Sequence, residues 1–292
     1  MATKVWVGTD AGNEGDWATA NNWSPSGVPI AADDVIIANS SQDITGTLDQ
    51  SAIALTSLTI DLSYTGLIGS AQSDFLEIGA VTAVIGQRRG TVGTYTGSKR
   101  LNIDFGTTTA AQINVYGTAT SAQDQNRQPL RIRAVNASTD VNIYGGTLAI
   151  SDDSSNSSTI GDILIESGSI NIGDNVTHTT LTQSGGTVNT QSSITTVTLK
   201  GGTLNQYDST SASTITTLTV SNSGSLNHYA SGTITTLNLN GGSVDLTKTQ
   251  KSKTVTTITA SPGASLITDT GTVTITNDIA LASSKKITIG FS

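Results

Sequence analysis

The 292-residue chain contains no cysteine, one methionine and only three glutamates, Glu14, Glu77 and Glu166. Without cysteine there is no disulfide framework and no thiolate metal site, so any stability outside the cell must come from packing alone. The shortage of Glu and Met removes strong helix formers and argues against a helical enzyme. Charge is also scarce: Asp, Glu, Lys and Arg make up 12% of the residues, and the net charge is −8. Phosphate contacts need a surplus of Lys and Arg, so this balance argues against a nucleic-acid binder. The opening residues hold no apolar run of signal-peptide length, and no later stretch approaches transmembrane length. The expectation is a chain made as a soluble cytoplasmic protein.

What the chain does have is Ser and Thr, nearly three residues in ten, together with Val and Ile. β-Branched residues favour strands, so the fold class expected is all-β. The chain also repeats itself. Aligned on a tight turn, successive phrases read IYGGTLAI, IESGSINI, TQSGGTVN, LKGGTLNQ, VSNSGSLN, LNGGSVDL and ASPGASLI. The turn positions are Gly146, Gly168, Gly186, Gly202, Gly224, Gly242 and Ala264. Their mean spacing, just under about 20 residues, suits one coil of a right-handed parallel β-helix, a solenoid, and is too short for a propeller blade or a helix-pair repeat.

Within one coil, apolar Val197, Leu199 and Leu204 alternate with Thr198 and Lys200, giving one face to the core and one to solvent. Gly201 and Gly202 turn the chain where a branched residue would not fit. The residue after each re-entering apolar side chain is Asn171, Asn189, Asn205, Asn227 or Asp245. Identical amides in register can form a hydrogen-bonded ladder. Tyr207 and Tyr229 also fall at matching places and are expected to stack. The spacing predicts a regular solenoid over residues 136–292 and irregular coils with loop insertions over 46–135. INVYGTAT at Ile113 resembles VNIYGGTL at Val141, which extends the grammar toward the N-terminus. SAQDQNRQP (121–129) and SDDSSNSS (151–158) read as loops.

Residues 1–45 differ. All three tryptophans, Trp6, Trp17 and Trp23, lie there, with Pro25 and Pro29 following. A solenoid needs its first open edge covered, so this segment is read as an N-terminal cap, with a sugar-binding aromatic platform as the rival. VWVGTDAGNEGDWATANNWSPSGVPIAADDVII resembles the W…W…NWS…GVP…DDV…I opening that precedes β-solenoid repeats in autotransporter-like bacterial surface proteins and in some tailed-phage virion proteins. That resemblance implies a right-handed parallel β-helix with a capped N-terminus and a virion-surface or extracellular role, but no reaction.

Polysaccharide-cleaving β-helices need paired carboxylates, or basic beside acidic residues in a groove. In the regular repeats, Glu166, Asp208, Asp245 and Asp269 do not share one repeat position, and Asp152 and Asp153 sit in a Ser-rich loop. His178 and His228 occupy different repeat positions and do not read as a metal pair. DAGNEGD (10–16) breaks calcium-loop spacing at Gly12 and reads as a polar turn. No catalytic, metal-ligating or cofactor-binding residue is assigned.

One charge pattern is pronounced. All six arginines, Arg88, Arg89, Arg100, Arg127, Arg131 and Arg133, fall in one window, whereas the chain up to Ala80 holds ten acidic side chains and one Lys. Alternation in LRIRAV puts Arg131 and Arg133 on one outward face. The arginines are therefore read as an interface toward an acidic partner or a second copy. The function expected is a non-enzymatic structural protein of a tailed-phage virion, either a capsid decoration or a spike component, self-associating and contacting the major capsid protein. A homotrimer follows from analogy with fold relatives alone. The alternatives are a bacterial surface adhesin passenger binding glycan or protein, and a polysaccharide depolymerase.

Overall fold

A computed structural model describes residues 1–71, 73–86, 100–107, 109–118, 129–151, 157–269, 271–277, 279–281 and 288–291. The loops expected at 121–129 and 151–158 fall largely outside the described residues. The described chain is nearly all β, with a single short 3-10 turn at Ala20–Asn22 and strands that pair in parallel almost throughout. It divides into two compact units, one of residues 1–150 with 158–160 and one of residues 151–157 with 161–292. Each is a stack of parallel coils.

In the first unit a ladder runs from Thr3–Trp6 to Asp34–Ile37, Asp49–Ile60, Leu76–Ile85, Gln112–Val115 and Asp140–Ile143. Its inward row is Ile37, Ile60, Ile85, Val115 and Ile143, each fully buried. A one-residue slip would turn this row outward, so burial of five stacked branched side chains pins the register. The coils are unequal in length: Asp34 pairs with both Thr3 and Ser57, and the step back to Thr3 is the longer. The ladder begins at Thr3, inside the segment read from the sequence as a separate cap.

The second unit carries the regular repeats. Ile170, Val188, Leu204, Leu226, Val244 and Leu266 stand in register. Each lies two positions after a turn residue read from the sequence, from Gly168 to Ala264, so the turn spacings are the observed offsets. A second ladder aligns Leu181, Val197, Leu218, Leu237 and Ile258, all buried. Outside it run Thr180, Thr196, Thr217, Thr236 and Thr257, one per coil. Period-two alternation thus fills the interior with Leu, Ile and Val and leaves Thr half-covered outside.

At the turns, Gly146, Gly168, Gly186, Gly202 and Gly242 take positive φ. Gly202 shows why no other residue serves: at φ +76, a Cβ there would lie 2.5 Å from the carbonyl oxygen of Gly186 in the preceding coil. Gly224 departs from the expected pattern. The turn before it contains an extra residue, register shifts between Asn222 and Ser225, and Asn222 takes the left-handed conformation at φ +52 instead. Asn tolerates that region better than most side chains, because its short amide can bond locally.

Candidate functional site

The N-terminal motif resolves into structure rather than an open platform. Trp6, Trp17 and Trp23 are 1%, 0% and 2% exposed, which removes the sugar-platform reading. Their rings meet edge to face, Trp6 on Trp23 at 5.1 Å and Trp17 on Trp23 at 4.6 Å, the arrangement that ring quadrupoles favour. The Trp23 indole N–H donates to the Trp17 carbonyl at 2.8 Å. Trp23–Ser24 pairs antiparallel with Thr3–Trp6, on the side of that strand opposite Asp34–Ile37. The remaining motif residues are anchors. Asp33 accepts from the backbone N–H groups of Ala2 and Ile30, and Asp34 accepts from the Ser57 hydroxyl at 2.6 Å. Buried Asn22 donates to the carbonyls of Asn13 and Asp16 and accepts from the Asp10 amide. The DAGNEGD segment is therefore a polar turn bonded to its own chain.

The arginine window yields a different site from the one expected. Arg88, Arg89 and Arg127 lie outside the described residues. Arg131 and Arg133 share one face, as alternation requires, but that face is covered: Arg131 is 1% exposed. Both guanidinium groups lie over the Phe75 ring, at 5.1 and 4.6 Å from its centroid. Two cations on one buried ring constitute a packing and cation–π cluster, in which Arg131 is closed off from solvent while the Arg133 side chain stays 17% exposed. The cover comes from the chain just before Phe75. Buried Asn102, register partner of Arg131, donates to the carbonyls of Ala71 and Asp74 at 3.2 and 3.0 Å. Alternation reports which residues share a face; it does not report a loop folded over that face. Arg100 lies at the start of this region, where its carbonyl accepts from the Ile68 amide.

Beside this cluster is a column that sequence spacing did not reveal. Asp49, Glu77, Asp104 and Arg133 occupy one ladder position in successive coils. Arg133 approaches the Asp104 carboxylate at 3.5 Å. Burial, with Asp49 and Asp104 as like-charged neighbours, pushes the Glu77 carboxyl above its usual range, and Arg133 opposes this. A carboxyl raised by burial beside other carboxyls is an arrangement that acid–base pairs also use. The strands that carry this column share no repeated phrase, which hid the alignment.

In the second unit the polar ladders form as expected. Asn189 donates to Asn171 at 3.0 Å, Asn205 to Asn189 at 2.9 Å and Asn227 to Asn205 at 2.8 Å. Asp245 ends the row by bonding Thr247 and Lys248 instead. Tyr207 and Tyr229 stack at 4.7 Å with 13° between ring planes. Asn142, Asn114, Tyr116 and Tyr144 repeat the same pairings in the first unit.

The histidines are interior residues. His178 bonds the Ser192 hydroxyl at 3.0 Å, and burial depresses its pKa to about 4. His228 is fully buried, register partner of buried Gln206, and neither side chain has a hydrogen-bond partner among the described residues. Burial, with Lys253 nearby, lowers the His228 pKa to about 4 as well. Among the described residues no group of three His, Asp or Glu side chains is placed to hold a metal ion, and no helix is long and apolar enough to cross a membrane. No protein-family model, curated protein or solved structure matches the chain.

Proposed function

We propose that this protein is a non-enzymatic structural component of a tailed-phage virion, a capsid decoration or spike element that associates with copies of itself and with other virion proteins. The observation that carries the reading is the repetition of identical side chains in register: four Asn joined by hydrogen bonds, two Tyr stacked, and five Thr at one ladder position. Such rows join coil to coil and build a stable surface, which is what a displayed scaffold needs. The Trp-rich opening supports the same reading, with its cluster closing the first coil as a cap. The virion assignment rests on the likeness of that opening to phage and surface β-solenoid proteins, and self-association as a trimer rests on analogy with fold relatives.

Light scattering of the purified protein, followed by electron microscopy alone and with tailed-phage capsids, tests the proposal. A trimer that coats capsids at regular positions supports it. A monomer that ignores capsids overturns it in favour of a surface adhesin. The Asp49–Glu77–Asp104 column favours a second reading, polysaccharide cleavage. For that reading, release of reducing ends from a capsular polysaccharide must be measurable and must be lost in Glu77→Gln.

A further inference from the structure

We propose that the depression beside Tyr207 is a binding site for a neutral saccharide ring. It adds to the structural role and stands independently of it.

The site follows from where a side-chain column stops. Gly173, Gln191, Tyr207 and Tyr229 occupy equivalent places in successive coils, each directly after the strand residues Ile172, Thr190, Gln206 and His228. Tyr229 stacks on one face of Tyr207. The next coil on the other side supplies Gln191, which is exposed, and the one beyond it supplies Gly173, which has no side chain. The result is a depression of about 400 Å³ with Tyr207, Ile172 and Gly173 among its lining residues. That volume lies at the low end of the range of small-ligand sites.

The chemistry of the lining selects the ligand. An aromatic face carries partial negative charge and attracts the polarised C–H bonds on one face of a sugar ring. Asn171 and Asn189 line the same depression, two places along the chain from Gly173 and Gln191. The Asn ladder runs in one direction, each amide donating to the residue before it, and it ends at Asn171. The Asn171 amide nitrogen has no partner among the described residues, and each other Asn has one N–H beyond the ladder bond. An apolar ring face bordered by amide donors and acceptors fits a molecule with one C–H face and equatorial hydroxyls. None of the lining residues is charged, so an acidic sugar, a phosphate or a cation finds no counter-charge there.

The test uses the full chain, with glucose, galactose and N-acetylglucosamine as monosaccharide probes and maltotriose and chitotriose as chains. Binding is followed by saturation-transfer NMR and calorimetric titration. Weak, saturable binding of at least one probe is expected, and a gain from monosaccharide to trisaccharide assigns the site to a polymer surface in preference to free sugar. Tyr207→Leu keeps apolar volume but loses the ring face, and lowers affinity about 3- to 10-fold. Gln191→Tyr continues the stack over Tyr207, fills the depression with the protein's own ring and abolishes binding, while its melting temperature shows that the fold is intact. Absence of saturable binding for every probe, or wild-type affinity in either variant, overturns the proposal.

Discussion

Asn227 donates its side-chain amide to Asn205 at 2.8 Å, although the two belong to different coils. Asn205 in turn donates to Asn189 at 2.9 Å, so it is the middle of a relay and serves as donor and acceptor at once. Asn205→Ala removes both bonds and leaves two half-covered amides to find water. The expected loss is about 1–2 kcal/mol, read as a lower denaturation midpoint in guanidinium at unchanged slope. Asn205→Asp keeps the acceptor but not the donor, and is expected to recover stability as the new carboxyl is protonated.

Two glycine substitutions separate backbone torsion from coil-to-coil contact. Gly263 and Gly202 both have positive φ, +85 and +76, but a Cβ at Gly263 meets nothing within 4 Å, whereas one at Gly202 meets the Gly186 carbonyl oxygen at 2.5 Å. Gly263→Ala is expected to cost about 1–2 kcal/mol, the torsional penalty alone. Gly202→Ala must cost distinctly more, because a neighbouring coil has to move. Equal losses in equilibrium unfolding would show that the coils do not press on one another at the turns.

Stability is expected to fall on mild acidification. The folded-state pKa values of His178 and His228 are depressed to about 4 from the ordinary 6.5. Between those values the unfolded chain binds more protons than the folded one, so stability is fully present above pH 6.5 and is lost as pH falls toward 4. Each buried histidine contributes up to about 3 kcal/mol of this loss. The groups around His228 are Lys253, which disfavours its protonation, and Asp208, which favours it. Burial would raise the Asp208 carboxyl, but Lys251 at 2.9 Å and the amides of Ser213 and Ser231 hold it down to about 2. Asp208 therefore remains ionised across the histidine window, and its own contribution is lost only as pH falls below 3.8 toward 2. Melting temperatures of the wild type and His228→Gln at several pH values from neutral down to the folded-state pKa check this: the variant's slope must be shallower.

Trp23→Ala removes the ring that both Trp6 and Trp17 contact. A buried aromatic truncated to Ala typically costs about 3–5 kcal/mol. If the cluster caps the first coil, the variant also exposes a strand edge. Light scattering should then show concentration-dependent growth in mass that the wild type lacks. A destabilised variant that stays at wild-type mass would leave the tryptophans as core alone.

How much of this was legible in the sequence depends on the regularity of the coils. From Gly168 onward the turn spacings equal the observed register, because identical short phrases leave one sensible alignment, and the Asn and Tyr rows follow from it. Gly224 stands at its expected place in the register but not in the expected backbone role, since the extra residue in its turn moves the left-handed position to Asn222. In the first unit the matching phrases at Ile113 and Val141 lie on other strands than those of Asp104 and Arg133, so the column of Asp49, Glu77 and Asp104 had no spacing to announce it. The burial of Arg131 was invisible for a different reason. Alternation specifies a side of the sheet, and only the fold brings Phe75 and the chain at Ala71 and Asp74 over that side.

The uneven steps along the second unit's ladder carry a consequence for heredity. Leu226 follows Leu204 at a greater distance along the chain than Leu204 follows Val188, yet both steps advance the ladder by one place. Most of the additional chain is absorbed at the corner between Gln206 and Ile215, one residue enters the turn at Asn222, and the strands on either side keep their partners. A codon gained inside a strand reverses every side chain that follows, but several gained together in the corner between Gln206 and Ile215 leave the ladder residues on either side in place. Insertions at such corners give the molecule a place to acquire new sequence without renegotiating its interior.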